Sequence, residues 1–531
     1  MEFVTYEQFG AVGDGNTDDF DAIIKAHDYA NGLGLPIKVT KGHIYYIGSN
    51  VGLAVIKTDT DWTGCEFIID DRGLDGDVGL DIFEVVSDEE GIPLTSSGLK
   101  KKDERLDFSS EIPLTTDVFV VAEDASVNRF KRVGLNESAG APQTDGFIMS
   151  KNGEIAVELV WDFASFSTLV AYPIDEKLLK MTGGTFITVA NDGPSEYNYY
   201  GRGIGIKRSN VLVEKVKHDV KEEGDHGSPY RGFYYTENCC RVTFKDCFMS
   251  GHKIYETIGS AGLPVMMGSY DINCHRSAEI TFTNCRQLDE EIHDRSRWGV
   301  FGSNYCRDIV VEGCTFSRVD AHMGVVNLTV KDSVIGYMGI KVIGWGDLKV
   351  LDCEIHCQEL IEIRPDYGSH WDGCFYIERV KWYVGNGGAT SLILSENRGV
   401  YDFGYGDETV MPKIVRIKHV TVVEEGGNSE ESMSIFQVSP KTNQGYMASS
   451  GRVKIPHPYR FPSFIEVTDV KRENGGSFQL FSNKPKTPHM KIFQLHAVDT
   501  LGVADYPHLY IPKVGYPMAY YPRIELGDDD E

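Results

Sequence analysis

The chain has 531 residues, of which 41% are hydrophobic and 25% charged, a balance that excludes a disordered chain and can bury a large core. Its 79 acidic and 52 basic residues leave a formal charge of −27, which argues against a nucleic-acid partner because phosphate requires a positive field. No stretch approaches about 18 consecutive apolar residues, so no membrane span is expected. The 11 cysteines are odd in number and show no metal-ligand spacing, so neither a metal nor another cofactor is expected. The opening Met-Glu-Phe-Val-Thr-Tyr-Glu lacks the basic and apolar regions of a secretory leader. The expected location is therefore the cytoplasm, or the exterior with a signal peptide absent from this sequence.

In chain order, the first segment with a pattern is Phe9-Gly10-Ala11-Val12-Gly13-Asp14-Gly15-Asn16-Thr17-Asp18-Asp19 followed by Ala22. Its glycines suit a tight turn, and Asp18 is placed to cap a short helix through Ile23, Ile24 and Ala26. Residues 1–79 are read as an N-terminal cap with the first turns of a solenoid. Residues 80–173 lack the solenoid pattern but hold apolar runs at 117–122, 145–150 and 154–161, which suggest a small inserted β domain.

From 174 to 472 a seven-residue unit recurs. Positions two and four are apolar, six is polar or glycine, and seven is small or apolar. Copies begin at Asn210, Arg241, Glu279, Asp308, Asn327, Asp347, Cys374, Ile414 and Phe464. The alternation marks strands with one buried face, and the shortest spacings, about 20 residues, suit one turn of a β-solenoid. Position seven is cysteine at Cys247, Cys285, Cys314 and Cys353, as expected of a buried ladder of small, soft side chains. Residues 473–531 are read as a C-terminal cap ending in an acidic tail.

The opening motif resembles the first segment of pectate-lyase-like β-helix proteins, a superfamily that includes polysaccharide lyases, polygalacturonase-like glycoside hydrolases and phage tailspikes. The motif covers about 20 residues, and the repeat extends the match over much of the chain. The resemblance implies an all-β chain, a right-handed single-stranded parallel β-helix with a short N-terminal capping helix. It does not choose a reaction.

A packed solenoid leaves chemistry to its outer faces and loops. Alternation puts Asp320 and His322 on one outer face, Lys341 outward between apolar neighbours, and Glu362 and Arg364 outward between isoleucines. One turn earlier, Asp294 and Trp298 share a face and Arg295 takes the other. Stacked in one sheet, these positions would form a strip, extended by Tyr270, Asp271 and His275 and walled by Asp366, His370, Trp371 and Asp372. Carboxylates on adjacent turns would lie about 5 Å apart, and two turns apart about 10 Å, which brackets the separations used by glycosidases.

The reading is a glycoside hydrolase acting on an oligo- or polysaccharide. Asp294 and Asp320 are its paired carboxylates and Glu362 the alternate; His322, Lys341, Arg364 and the aromatic rings hold substrate. A polysaccharide lyase is the first alternative, with Arg364 or Lys341 neutralising a uronate and His322 or a tyrosine removing the proton. The chain lacks a clear calcium-binding Asp cluster of the kind in the pectate lyases it resembles, and no Asn-Thr-Asp, Gly-His-Gly and Arg-Ile-Lys set stands at positions matching the polygalacturonases. A non-catalytic, tailspike-like carbohydrate-binding solenoid is the second alternative, and a homo-oligomer, trimer or dimer, stays open as a partner.

Overall fold

The repeat dictates how this chain packs: each copy supplies a strand whose apolar positions must find the same positions of the next copy. The computed structural model describes residues 2–48, 51–74, 79–193, 199–287, 289–299, 301–385, 391–395, 402–406, 409–424, 433–438, 459–460, 462, 464–476, 478–481, 491–492, 495–497 and 524–525. They divide into two compact units. The first comprises residues 1–127 and 142–317, the second 128–141 and 318–531.

In the first unit the opening motif is a turn that leads into the short strand Asp14–Asp18, paired with Ile44–Ile47. The Asp14 carboxylate accepts the backbone N–H of Asn16 and Thr17 at 2.9 and 2.8 Å, while Asp19 accepts those of Val12 and Gly13 at 2.6 and 3.1 Å. The helix Phe20–Leu33 follows and stops at Gly34, whose φ of 64° is left-handed. Asp19, rather than Asp18, is the residue at the helix entrance; Asp18 instead accepts the Phe20 N–H at 3.0 Å. The helix buries Phe20, Ile23, Ala26 and His27 against an aromatic cluster of the first coils. His27 Nε2 lies 3.0 Å from the Tyr6 hydroxyl, which also accepts from Trp62 Nε1 at 2.8 Å. Burial pushes the His27 imidazole down to about 3, so it is a neutral member of this core.

The coils stack in register. Val211, Val242, Ile280 and Ile309 are successive partners, as are Val213, Phe244, Phe282 and Val311. Because parallel strands lie about 4.8 Å apart, like side chains meet face to face: the Phe244 and Phe282 rings stack at 5.0 Å and 10°. All strand pairings named here are parallel, and the fold is a right-handed parallel β-helix.

Position six of the repeat is the corner. Lys215, Asp246, Asn284 and Gly313 all have left-handed φ, between 52° and 64°, which reverses the pleat so that position seven points inward. The thiols there donate to carbonyls of the preceding coil: Cys247 to Val213, Cys285 to Phe244 and Cys314 to Phe282, at 3.4 to 3.5 Å. These cysteines are buried and unbridged.

Between strands Phe83–Val86 and Leu179–Thr182, both of which pair in parallel within the coils, the chain makes its excursion. Strands Val118–Arg129, Ala141–Met149, Thr168–Pro173 and Ile92–Pro93 form a four-stranded sheet, antiparallel where Thr168–Pro173 meets the first and last of them. Phe119, Val121 and Ile174 pack it on Cys240 and Ala278 of the coils.

In the second unit the same logic repeats. Leu328, Leu348, Phe375, Val415 and Ile465 form one ladder, and Val330, Val350, Ile377, Ile417 and Val467 the next. Asp332, Asp352, Arg379, His419 and Asp469 are its left-handed corners, φ 49° to 55°. A neighbouring ladder runs Ile340, Ile361, Ile393 and Phe436. Residues 128–141 belong here: Lys131 N–H donates to the Phe403 carbonyl at 3.0 Å and Val133 N–H to that of Asp366 at 2.9 Å. Apart from a few short strands, the expected C-terminal cap lies outside the described residues.

A methyl group at a left-handed corner costs about 1–2 kcal/mol. Gly313→Ala, whose Cβ would also lie 2.6 Å from Asn284 Oδ1, is expected to lower stability by about that amount. Urea denaturation of the two proteins side by side measures it.

Candidate functional site

Four residues of the expected strip come together in the second unit. Arg364 reaches both oxygens of Asp320 through Nη1, at 2.8 and 2.7 Å, and Arg318 holds the same carboxylate from its own strand. The opposite edge of Arg364 holds Asp366, Nε to Oδ1 at 3.2 Å and Nη2 to Oδ2 at 2.8 Å. Arg132, from the 128–141 segment, binds Asp366 Oδ2 at 2.7 Å. Arg132 and Arg364 each sit 5.3 Å from the Tyr367 ring centre, and the Tyr367 hydroxyl lies 3.2 Å from His322 Nε2.

The electrostatics follow from this layout. Burial alone would raise the Asp366 carboxyl, but Arg364 and Arg132 outweigh it and hold the group well below the usual carboxylate range. Burial and the same two arginines push His322 down to about 3, so it is a neutral imidazole. Burial raises Tyr367 to about 12. Asp320 has no exposed surface, and both its oxygens are engaged by guanidinium groups. A glycosidic oxygen has no approach to it. Its geometry is that of a structural ion-pair network.

The other positions of the second unit are occupied differently. Lys341 and Glu362 are direct partners on adjacent coils and form an ion pair. Trp371 does not wall a loop. It opens the strand Trp371–Val384, is fully buried, donates Nε1–H to the Gly346 carbonyl at 3.0 Å and packs on Phe375. Its register opposite Gly344 makes it an inward residue, because the glycine leaves room for the indole. His370 stacks on Tyr405 at 4.3 Å and meets Trp345 at 5.3 Å, and Asp372 pairs with Lys413 at 2.8 Å.

In the first unit, Asp271 is also interior, with no exposed surface. It accepts from Ser250 N–H at 2.9 Å and contacts His218 Nδ1 at 2.5 Å. His218 in turn meets Thr188 Oγ1 at 2.9 Å and stacks on Phe233 at 3.8 Å. The ladder Phe67, Phe186, His218 explains why: His218 occupies an inward position. His275 sits near Tyr305 and Tyr235, held down to about 4 by burial and Arg276. Asp294 folds back on Ser296 and Arg297, contacts that lower its carboxyl. Arg295 is exposed, and Trp298 lies 6.2 Å from Tyr270. Asp294 belongs to the first unit and Asp320 to the second.

One carboxylate that the sequence did not single out has different surroundings. Glu291 lies in the short helix Asp289–His293. Its Oε1 is 3.4 Å from Ser250 Oγ and 3.9 Å from Arg297 Nη2, while Oε2 has no hydrogen-bond partner among the described residues. Burial raises this carboxyl; Arg297 opposes the shift, and the charges of Asp219 and Asp271 add to it. Asp219 faces outward beside it, half-buried on the strand Lys217–Lys221. No periodic pattern marks Glu291, because its short helix lies in a connection between coil strands. Arg132 escaped for a similar reason: it reaches Asp366 from 234 residues away.

No protein-family model and no curated protein sequence matches the chain. Among solved structures it is similar to the tailspike protein gp49 from Pseudomonas phage LKA1, with 12% identity over 92% of this chain and 84% of that one and a TM-score of 0.45. It is similar as well to the gp54 tailspike of Acinetobacter baumannii bacteriophage AP22, solved in complex with A. baumannii capsular saccharide. That likeness has 9% identity over 93% of this chain and 79% of that one, TM-score 0.43. A third is the A-module of the Azotobacter vinelandii mannuronan C-5 epimerase AlgE4, 11% identity over 92% and 100%, TM-score 0.32.

Removing one member of a buried ion pair strands the other charge, at about 3–5 kcal/mol. Asp320→Asn is therefore expected to destabilise the second unit by about 3 kcal/mol, read as faster hydrogen exchange in the strand Glu359–Ile363. The lowered Asp366 carboxyl works in the same unit with a definite sign. Its stabilising contribution is present above the unfolded carboxylate value, about 4, and is lost as pH falls below it. Acid titration should loosen Glu359–Ile363 less in Asp366→Asn than in the parent, relative to each protein at pH 7.

Proposed function

We propose that the protein is a glycoside hydrolase acting on an oligo- or polysaccharide, with Glu291 as its proton donor. The observation that carries this reading is the Glu291 side chain: a half-buried carboxyl, raised by desolvation and by two neighbouring carboxylates, with one oxygen unpartnered among the described residues. Such a group keeps its proton to higher pH and can deliver it to a leaving oxygen. Asp219 is the second carboxylate. It stays outward and half-buried, suited to activating water or attacking the anomeric carbon. Arg297, touching Glu291 and Asp294 and donating to the Gly251 carbonyl at 2.8 Å, holds the loop that carries the acid. The carboxylates Asp320 and Glu362 are engaged by cations and serve the scaffold in this reading.

Glu291→Gln is expected to lower hydrolysis about 100-fold or more while leaving thermal stability near that of the parent. A glycan panel followed for reducing ends and ultraviolet absorbance tests it. New reducing ends without absorbance, lost in the variant, support hydrolysis; absorbance from a new double bond would replace it with elimination. In the hydrolase, rate should fall as pH rises through the raised Glu291 value. An undiminished Glu291→Gln rate would retire this residue as the acid.

A further inference from the structure

Beside Asp219 the outer face of the first unit carries an unusual row. Lys217 pairs with Phe248, and Phe248 with Arg286, on three successive coils. All three point outward: Phe248 is 43% exposed, and both cations are exposed. The next positions in register are Thr185 on one side and Thr315 on the other, neither charged. An exposed phenylalanine alone is ordinary. Here the ring's strand lies between those of two basic residues, and adjacent strands of the stack are about 5 Å apart.

Several outward basic groups of the same unit pair with carboxylates: Arg241 with Glu279, Lys245 with Glu214 and Arg276 with Glu237. Neither Lys217 nor Arg286 makes an ion pair among the described residues. In a chain of charge −27, a pair of uncommitted cations on adjacent sides of a bare aromatic ring is poorly explained by solubility. Asp219 lies two residues beyond Lys217 on the same strand and face, about 7 Å further along.

We infer that Lys217, Phe248 and Arg286 form a subsite for an anionic sugar, so that the glycan taken by the Glu291 site carries carboxylate groups. The apolar face of a pyranose rests on the Phe248 ring, and its carboxylate, or that of the next residue, meets Lys217 or Arg286. A bidentate guanidinium contact favours a planar carboxylate over a neutral hydroxymethyl group. The inference rests on the reading of Glu291 and Asp219 as the reacting pair, because the subsite leads toward them.

The test measures binding by calorimetry to oligomers of galacturonate, glucuronate and mannuronate, each paired with its carboxyl-reduced counterpart. At least one acidic oligomer should bind, at least tenfold more tightly than its reduced form, and more weakly as salt increases. The double variant Lys217→Ala/Arg286→Ala and the single variant Phe248→Ala should each lose at least tenfold in affinity with unchanged melting temperature. Arg241→Ala, on a different outer strip, should bind as the parent does. Equal binding of reduced oligomers, no binding of any acidic oligomer, or undiminished binding by the double variant overturns the inference. Glu291→Gln separates the two readings: retained binding without cleavage supports both. Acid-selective binding by a parent that cleaves nothing keeps the subsite and removes the reaction, and cleavage of neutral glycans with no acidic preference does the reverse.

Discussion

Everything in this molecule depends on the backbone hydrogen bonding between successive coils. Once two parallel strands pair in register, the identity of a side chain on one coil determines what its counterpart touches on the next. The Val213, Phe244, Phe282, Val311 ladder is stable because all four are apolar; a charge at any of them would be buried between two neighbours. The left-handed corner at position six is the second half of that constraint. It changes the direction of the chain after a short strand without breaking the stack, and Asp, Asn and Gly recur there because they bear that conformation with little strain. Arg379, Lys215 and His419 adopt it too, so the stack imposes the corner even on residues that resist it.

The same stacking organises charge. Outward residues also form ladders, and where opposite charges fall on adjacent coils they pair, as Lys341 and Glu362 do. Residues thus committed hold the scaffold together and are poorly placed for acid–base chemistry. The Asp320 network is the limiting case: two arginines on one fully buried carboxylate, then a second carboxylate shared with Arg132. Chemistry needs groups that the ladder leaves unsatisfied. In the proposed reading Glu291 is one, because its short helix stands off the stack, and the Lys217, Phe248, Arg286 row is another, because its partners in register are not acids.

The repeat, its buried alternate positions and the inward cysteines were legible in the sequence because each depends on residues close together in the chain. The capping helix was legible for the same reason, one residue out at its entrance, where Asp18 and Asp19 divide the turn between them. The outward placing of Asp320, His322 and Arg364 was read from period-two alternation, and Asp366 from its loop beside them. What that alternation could not supply was depth. Asp271 and Trp371 look like loop or surface residues in the sequence, yet His218 and the gap at Gly344 draw them inside.

The amino-acid sequence by itself determined the solenoid, since apolar periodicity and corner residues are local properties that each coil carries within about 20 residues. Only the tertiary structure decided which carboxylates are free. That depends on partners such as Arg132 for Asp366 or Asp219 for Glu291, brought from distant coils and inserted segments. Their approach is set by how many coils intervene and how each loop folds back, and a one-dimensional pattern carries neither quantity.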